Sequence, residues 1–86
     1  MIKTRVGVNG YGTIGRRVAE AIVRQPDMEL VGVTKATPDY RVDEANAKGI
    51  RVFATGDPAV FQNAGYAVAG TLRDMLAECD IVVDCA

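Results

Sequence analysis

Residues 10–15 read Gly-Tyr-Gly-Thr-Ile-Gly, three glycines in six positions between an apolar run and a helix-like pattern. Glycine inside a regular element costs roughly 0.5–1 kcal/mol relative to alanine, so a cluster at a strand-to-helix corner calls for a local reason. The chemistry it suits is anion binding by main chain. Gly10 permits the tight turn out of a strand, Gly12 removes a Cβ where backbone approaches a pyrophosphate, and Gly15 lets a helix lie close to a sheet. The amides of Thr13 and Ile14 then belong to the open first turn of a helix, whose unpaired N–H groups and dipole favour negative charge. Simple N-capping by Thr13 fits the same geometry. A glycine-rich turn that only packs helix on strand is the plainer alternative, but the context meets the stricter test: a strand before the motif, a helix after it and a second strand within ~30 residues.

The next informative position lies at the end of that second strand, about 20 residues on, where an acidic residue holds the ribose 2′-hydroxyl of NAD and a basic one accommodates the 2′-phosphate of NADP. Here the sequence is "VTKATPD". Lys35 stands where an acid is expected, flanked by the hydroxyls of Thr34 and Thr37, which points to acceptance of NADP with NAD still usable. A solvated strand end is the alternative for Lys35, and a helix-capping charge the alternative for Asp39. Asn9, just before the motif, is placed to bond the cofactor or brace the turn, with bracing the simpler role. Cys85 falls at the end of the last strand, but the chain has no histidine to activate it, and a thiol there is more often a small apolar filler.

The elements that must position these residues follow from periodicity and punctuation. Arg5 to Val8 is a short β-prone run. From Ile14 the apolar residues recur at helical spacing, with Val18, Ala19, Ile22 and Val23 on one face and Arg16, Arg17, Glu20 and Arg24 on the other. "QPD" at 25–27 breaks that helix, and 28–33 reads as a second, mostly buried strand. Thr37 as N-cap, Pro38 at the first helical position and Asp39 in the first turn begin a helix over 40–48 that Gly49 stops. Residues 50–54 form a third strand. Residues 55–65 form a loop with a turn or two of helix begun by Asp57 and Pro58. "YAVAG" at 66–70 is a short extra strand, Thr71 and Asp74 resemble a capping box, and 80–84 is a last buried strand. Strands alternating with helices imply a doubly wound parallel sheet of Rossmann type, here its first, mononucleotide half.

Composition narrows the classes further. The 86 residues are 49% hydrophobic and 24% charged with a formal net charge of −1, as in an ordinary globular domain. Ten Lys and Arg are scattered among eleven Asp and Glu, without the basic stripe that nucleic-acid backbone binding needs. No stretch approaches the ~20 apolar residues of a membrane span. Cys79 and Cys85 suggest neither a disulfide framework nor a zinc site, and reduced cytoplasmic thiols are the expectation.

Together, "VGVNGYGTIGRRVAEAI", "QPDMELVGVTKATPDY", "KGIRV", "VAGTLRDML" and "DIVVDC" closely resemble the N-terminus of the archaeal, phosphorylating, NAD(P)-dependent glyceraldehyde-3-phosphate dehydrogenases. The resemblance runs over essentially the whole chain. It implies an enzyme that oxidises glyceraldehyde 3-phosphate with inorganic phosphate to 1,3-bisphosphoglycerate and works as a cytoplasmic homotetramer. By the same resemblance Thr13 and Ile14 contact the cofactor through backbone, and Lys35 is the selector on the adenosine side. Ala36 departs from relatives that often carry a hydroxyl there. The family is about four times longer, with its catalytic cysteine, histidine and phosphate-binding residues expected beyond Ala86, so residues 1–86 read as the N-terminal part of the cofactor domain with no catalytic residue. Such a half, alone, is expected to expose the edges of its first and last strands, to self-associate and to bind NADP weakly. The alternatives are a stand-alone or regulatory nucleotide-binding module, against which Lys35 counts, and another dehydrogenase with the same first half, of the homoserine dehydrogenase or dihydrodipicolinate reductase type.

Overall fold

The computed structural model describes residues 2–86. Five strands, β1 (Thr4–Asn9), β2 (Met28–Lys35), β3 (Val52–Ala54), β4 (Gly70–Thr71) and β5 (Ile81–Asp84), alternate with four helices. These are α1 (Thr13–Val23), α2 (Tyr40–Ala47), α3 (Pro58–Asn63) and α4 (Leu72–Glu78). All strand pairs are parallel, in the order β4-β3-β2-β1-β5. The chain steps outward from β1 to β4 and then returns to the other side of β1 to lay down β5. That reversal between β1 and β5 is the switch point at whose carboxyl edge open parallel sheets bind ligands.

Alternation along the strands divides the core between two faces, and an irregularity in the β1–β2 register, where Val6 pairs with Leu30 but Gly7 with Gly32, puts Val31 and Val33 on opposite ones. Val6, Val8, Val33, Val52 and Ala54 pack with Ala19 and Ile22 of α1, Val42 and Ala45 of α2 and Phe61 of α3. On the other face Val31 and Phe53 meet Met75 of α4, with Leu72 and Cys79 beside them. Arg51 fastens that face, because its guanidinium bonds both carboxylate oxygens of Glu78 at 2.8 and 3.2 Å and its Nε donates to the Val31 carbonyl. Arg16 of α1 pairs with Glu44 of α2 at 3.2 Å, and Lys48 with Glu20 at 3.3 Å. Both helices are thereby held on the first face.

Several expectations shift. The buried face of α1 consists of Gly15, Ala19 and Ile22, whereas Ile14 and Val23 are 69% and 61% exposed. The cap of α2 is Asp39, whose Oδ1 accepts the Arg41 N–H at 3.0 Å, so Thr37 and Pro38 lie outside the helix. The extra strand shrinks to Gly70–Thr71. The last strand is not buried: Ile81 is 53% exposed, because β5 has a paired neighbour on one side only among the described residues. For the same reason the sheet edges are β4 and β5, and β1, expected at an edge, is interior. The helix begun by Asp57 and Pro58 and the Thr71/Asp74 capping box are both present.

Candidate nucleotide-binding site

The carboxyl ends of β1, β2 and β3 converge on a cavity of about 420 Å³. Asn9, Gly10 and Tyr11 form one wall, Thr34, Lys35 and Ala36 another, and Thr55 and Leu72 close it from the side of β3 and α4. Gly10 leaves β1 at φ +111°, a conformation that L side chains rarely adopt, with the Cys85 carbonyl 2.9 Å from where a Cβ would stand. At Gly15 a Cβ would collide with the carbonyl of Gly10, so the first turn of α1 lies directly on the glycine turn. Gly12 is different in kind. Nothing lies within 4 Å of its missing Cβ, and its backbone is extended. The residue is small where the surroundings are open, which is what the approach of a bulky ligand to main chain requires.

Helix α1 starts at this opening without help from its own side chains. Gly12 is its N-cap, no side chain caps it, and its first turn has no acidic residue. Thr13 is the first helical residue, so the alternative of a Thr13 side-chain cap does not hold. The amides of Thr13, Ile14 and Gly15 precede the first intrahelical bond, from Arg16 N–H to the Gly12 carbonyl. A helix start left in that condition favours an anion.

Thr34, 1% exposed, is the buried polar residue among the described residues. Its Oγ accepts the Gly10 N–H at 2.9 Å and donates to Asn9 Oδ1 at 2.7 Å. Asn9 Nδ2 in turn donates to Asp84 Oδ1 at 3.1 Å, and Asp84 also accepts the Ala86 N–H. This chain of bonds joins the ends of β2, β1 and β5 and sets the direction in which Gly10 departs. Asn9 and Thr34 therefore brace the turn, and the Thr34 hydroxyl uses its single proton in doing so.

Lys35 is the charged residue in the cavity lining. Its Nζ donates to Asp39 Oδ2 at 2.9 Å, and its side chain is 13% exposed. Burial alone would raise the Asp39 carboxyl, but hydrogen bonds from Lys35 and the Arg41 N–H, with the Lys35 charge, outweigh it and hold the pKa below the ordinary value. Tyr11 is buried beneath the turn, its hydroxyl without a partner among the described residues, and burial pushes its phenol up.

The structure thus gathers Asn9, Gly10, Thr34 and Lys35 on one cavity. Gly12, Thr13, Ile14 and Thr37 are exposed outside its lining, and Gly15 is buried beneath the turn. Sequence reasoning missed Asp84 as a brace and Thr55 and Leu72 as walls. Thr55 carried a usable signal, since it directly follows the third strand and carboxyl ends of parallel strands face the ligand. Two other concavities lack such convergence: one of about 350 Å³ between α1 and β5 is walled mainly by apolar side chains, and one of about 190 Å³ lies among Glu20, Val23, Arg24, Lys48 and Ile50. Among the described residues no three His, Cys, Asp or Glu side chains cluster as a metal site, and no helix is long and apolar enough to cross a membrane.

The sequence profile of the family described as "Dihydrodipicolinate reductase, N-terminus" matches residues 4–86. The chain is also 53% identical over 85 residues to glyceraldehyde-3-phosphate dehydrogenase of Thermococcus onnurineus, an alignment covering 96% of this chain and 25% of that protein. It is 54% identical over 85 residues to the enzyme of that name from Sulfurisphaera tokodaii, covering 98% and 25%. With that of Methanosarcina mazei it shares 46% over 86 residues, covering 99% and 26%. The chain spans about a quarter of the length of these curated relatives.

Proposed function

The chain belongs to the family described as dihydrodipicolinate reductase, N-terminus, and from that premise we propose that it forms the cofactor-binding portion of an NAD(P)-dependent, phosphorylating glyceraldehyde-3-phosphate dehydrogenase. The observation that carries the cofactor is the uncapped, acid-free start of α1 at a glycine turn whose neighbouring cavity is walled by Lys35. The choice among dehydrogenases rests on the relatives, 46–54% identical over nearly all of this chain.

In this reading the amides of Thr13 and Ile14 hold the pyrophosphate, with Gly12 providing the clearance. Lys35 faces the adenosine ribose and favours NADP while leaving NAD usable. Asn9, Thr34 and Asp84 keep the turn in place rather than touching the ligand. Bound nicotinamide supplies hydride acceptance. This chain's own groups bind and orient, and none is assigned a step on the substrate. Glyceraldehyde 3-phosphate and inorganic phosphate are the substrates of the whole protein in this proposal, 1,3-bisphosphoglycerate its product, and a cytoplasmic homotetramer its form.

The test is reduction of NADP and NAD by the native-length polypeptide with glyceraldehyde 3-phosphate. Formation of NADPH or NADH that depends on both aldehyde and inorganic phosphate is expected. The name of the matching family supplies the competing outcome of this test, reduction of dihydrodipicolinate. Oxidation of NADPH on that substrate, without aldehyde-dependent activity, overturns the proposed reading.

A further inference from the structure

Lys35 is a cation already in use. Its ammonium is bonded to Asp39 Oδ2 at 2.9 Å, and the lysine side chain is nearly enclosed. The carboxylate is anchored independently of it, because Asp39 Oδ1 caps α2 through the Arg41 N–H. Each carboxylate oxygen has its own task. If Lys35 turned away, the cap would still hold Asp39 where it is.

A dinucleotide bearing a 2′-phosphate that reaches Lys35 therefore meets an ammonium whose charge is largely neutralised, with a second anion beside it. Two anions competing for one ammonium repel each other, and in a partly enclosed site that repulsion is screened less than in open water. A ribose with a free 2′-hydroxyl meets no such penalty. It brings no charge, leaves the ion pair intact and can donate to the carboxylate.

We propose that Asp39 limits the site's selectivity: by holding the Lys35 ammonium it weakens acceptance of the 2′-phosphorylated dinucleotide relative to the unphosphorylated one. Asp39 acts through Lys35 and is a positioning residue. The proposal rests on the dinucleotide reading of the site.

The experiment is titration of the native-length polypeptide with NADP and with NAD at fixed low ionic strength, comparing wild type, Asp39→Asn, Lys35→Met and the double variant. Asparagine keeps an oxygen for the Arg41 N–H and caps helices about as well as aspartate, so Asp39→Asn removes charge and spares the cap. Asp39→Ser provides a second neutral cap should the first variant fold poorly. The expected result is a Kd for NADP about fivefold lower or more in Asp39→Asn, a coupling of ordinary size, with the Kd for NAD within about twofold. In the Lys35→Met background only the direct repulsion between carboxylate and phosphate remains, so the same substitution is expected to shift the NADP-to-NAD ratio by clearly less than it does with Lys35 present; an equal or larger shift there overturns the claim that Asp39 acts through Lys35. A ratio unmoved by Asp39→Asn with Lys35 present, or one shifted towards NAD, overturns the proposal and leaves Asp39 as a cap. A wild type that binds neither nucleotide overturns the dinucleotide reading, and the proposal with it.

Discussion

The starts of α1 and α4 both lie at the carboxyl ends of strands, β1 and β4, and they are made of opposite materials. At α4, Thr71 Oγ accepts the Asp74 N–H at 3.3 Å while Asp74 Oδ2 accepts the Thr71 N–H at 2.8 Å, so the chain satisfies its own open amides. Asp39 at α2 and Asp57 at α3 cap their helices in the same spirit. At α1 the cap is Gly12, and neither hydroxyl nor carboxylate reaches the amides. Capping by Ser, Thr, Asp or Asn stabilises a helix by about 1 kcal/mol relative to alanine. The three ordinary starts use that gain, and α1 leaves its amides to something outside the chain.

The comparison breaks most severely where the turn itself is lost. Gly15→Val would drive side-chain atoms into the Gly10 carbonyl, and such a backbone collision is expected to cost about 3 kcal/mol or more of folding stability. Urea denaturation measures it. A loss below about 1 kcal/mol would mean that α1 can lift off the turn and that the close approach is not required.

Gly12→Asp converts α1 into a helix of the α4 kind. The position is extended and open, so the fold should accept the side chain, and the added cap and charge should raise stability by about 0.5–1 kcal/mol. The same carboxylate would occupy the anion position, and NADP affinity is expected to fall about tenfold or more. Thermal melting with nucleotide titration reads both arms. Unchanged affinity in a well-folded variant would remove α1 from the site.

Thr71→Ala runs the comparison in the other direction. It deletes the α4 cap and is expected to cost about 1 kcal/mol in stability. Dinucleotide affinity should change little, so the two starts separate cleanly if Gly12→Asp alters binding and Thr71→Ala alters only the denaturation midpoint.

The smallest effect belongs to pH. The Asp39 pKa is depressed in the folded protein, so its contribution is fully present above the ordinary carboxylate value, about 3.9, and is lost as pH falls through the lower folded value. With the carboxylate 39% exposed, solvent screening keeps that contribution small. Wild type should melt slightly above Asp39→Asn at neutral pH, and the gap should close in acid. A gap that widens in acid would contradict the depressed value.

What the sequence determined by itself is what acts within about four residues. The glycine turn, the Asp57-Pro58 start, the stop at Gly49 and the Thr71/Asp74 box depend on φ preference and local hydrogen bonds, and each is readable without knowing the fold. The alternation of strands and helices, and with it the parallel sheet, is almost as local, because periodicity alone carries it. Residues beyond that reach were decided by packing. Periodicity put Ile14, Val18, Ala19, Ile22 and Val23 together on the inner face of α1, but the close approach at Gly15 keeps only Ala19 and Ile22 buried with it and leaves Ile14 and Val23 exposed. The brace from Thr34 through Asn9 to Asp84 joins residues 25 and 75 positions apart, so no spacing rule could announce it. Lys35 marks the limit of that reach: Asp39 stands only four residues away, but a spacing of four pairs side chains by itself only inside a helix, and here the turn between β2 and α2 sets the ammonium on the carboxylate.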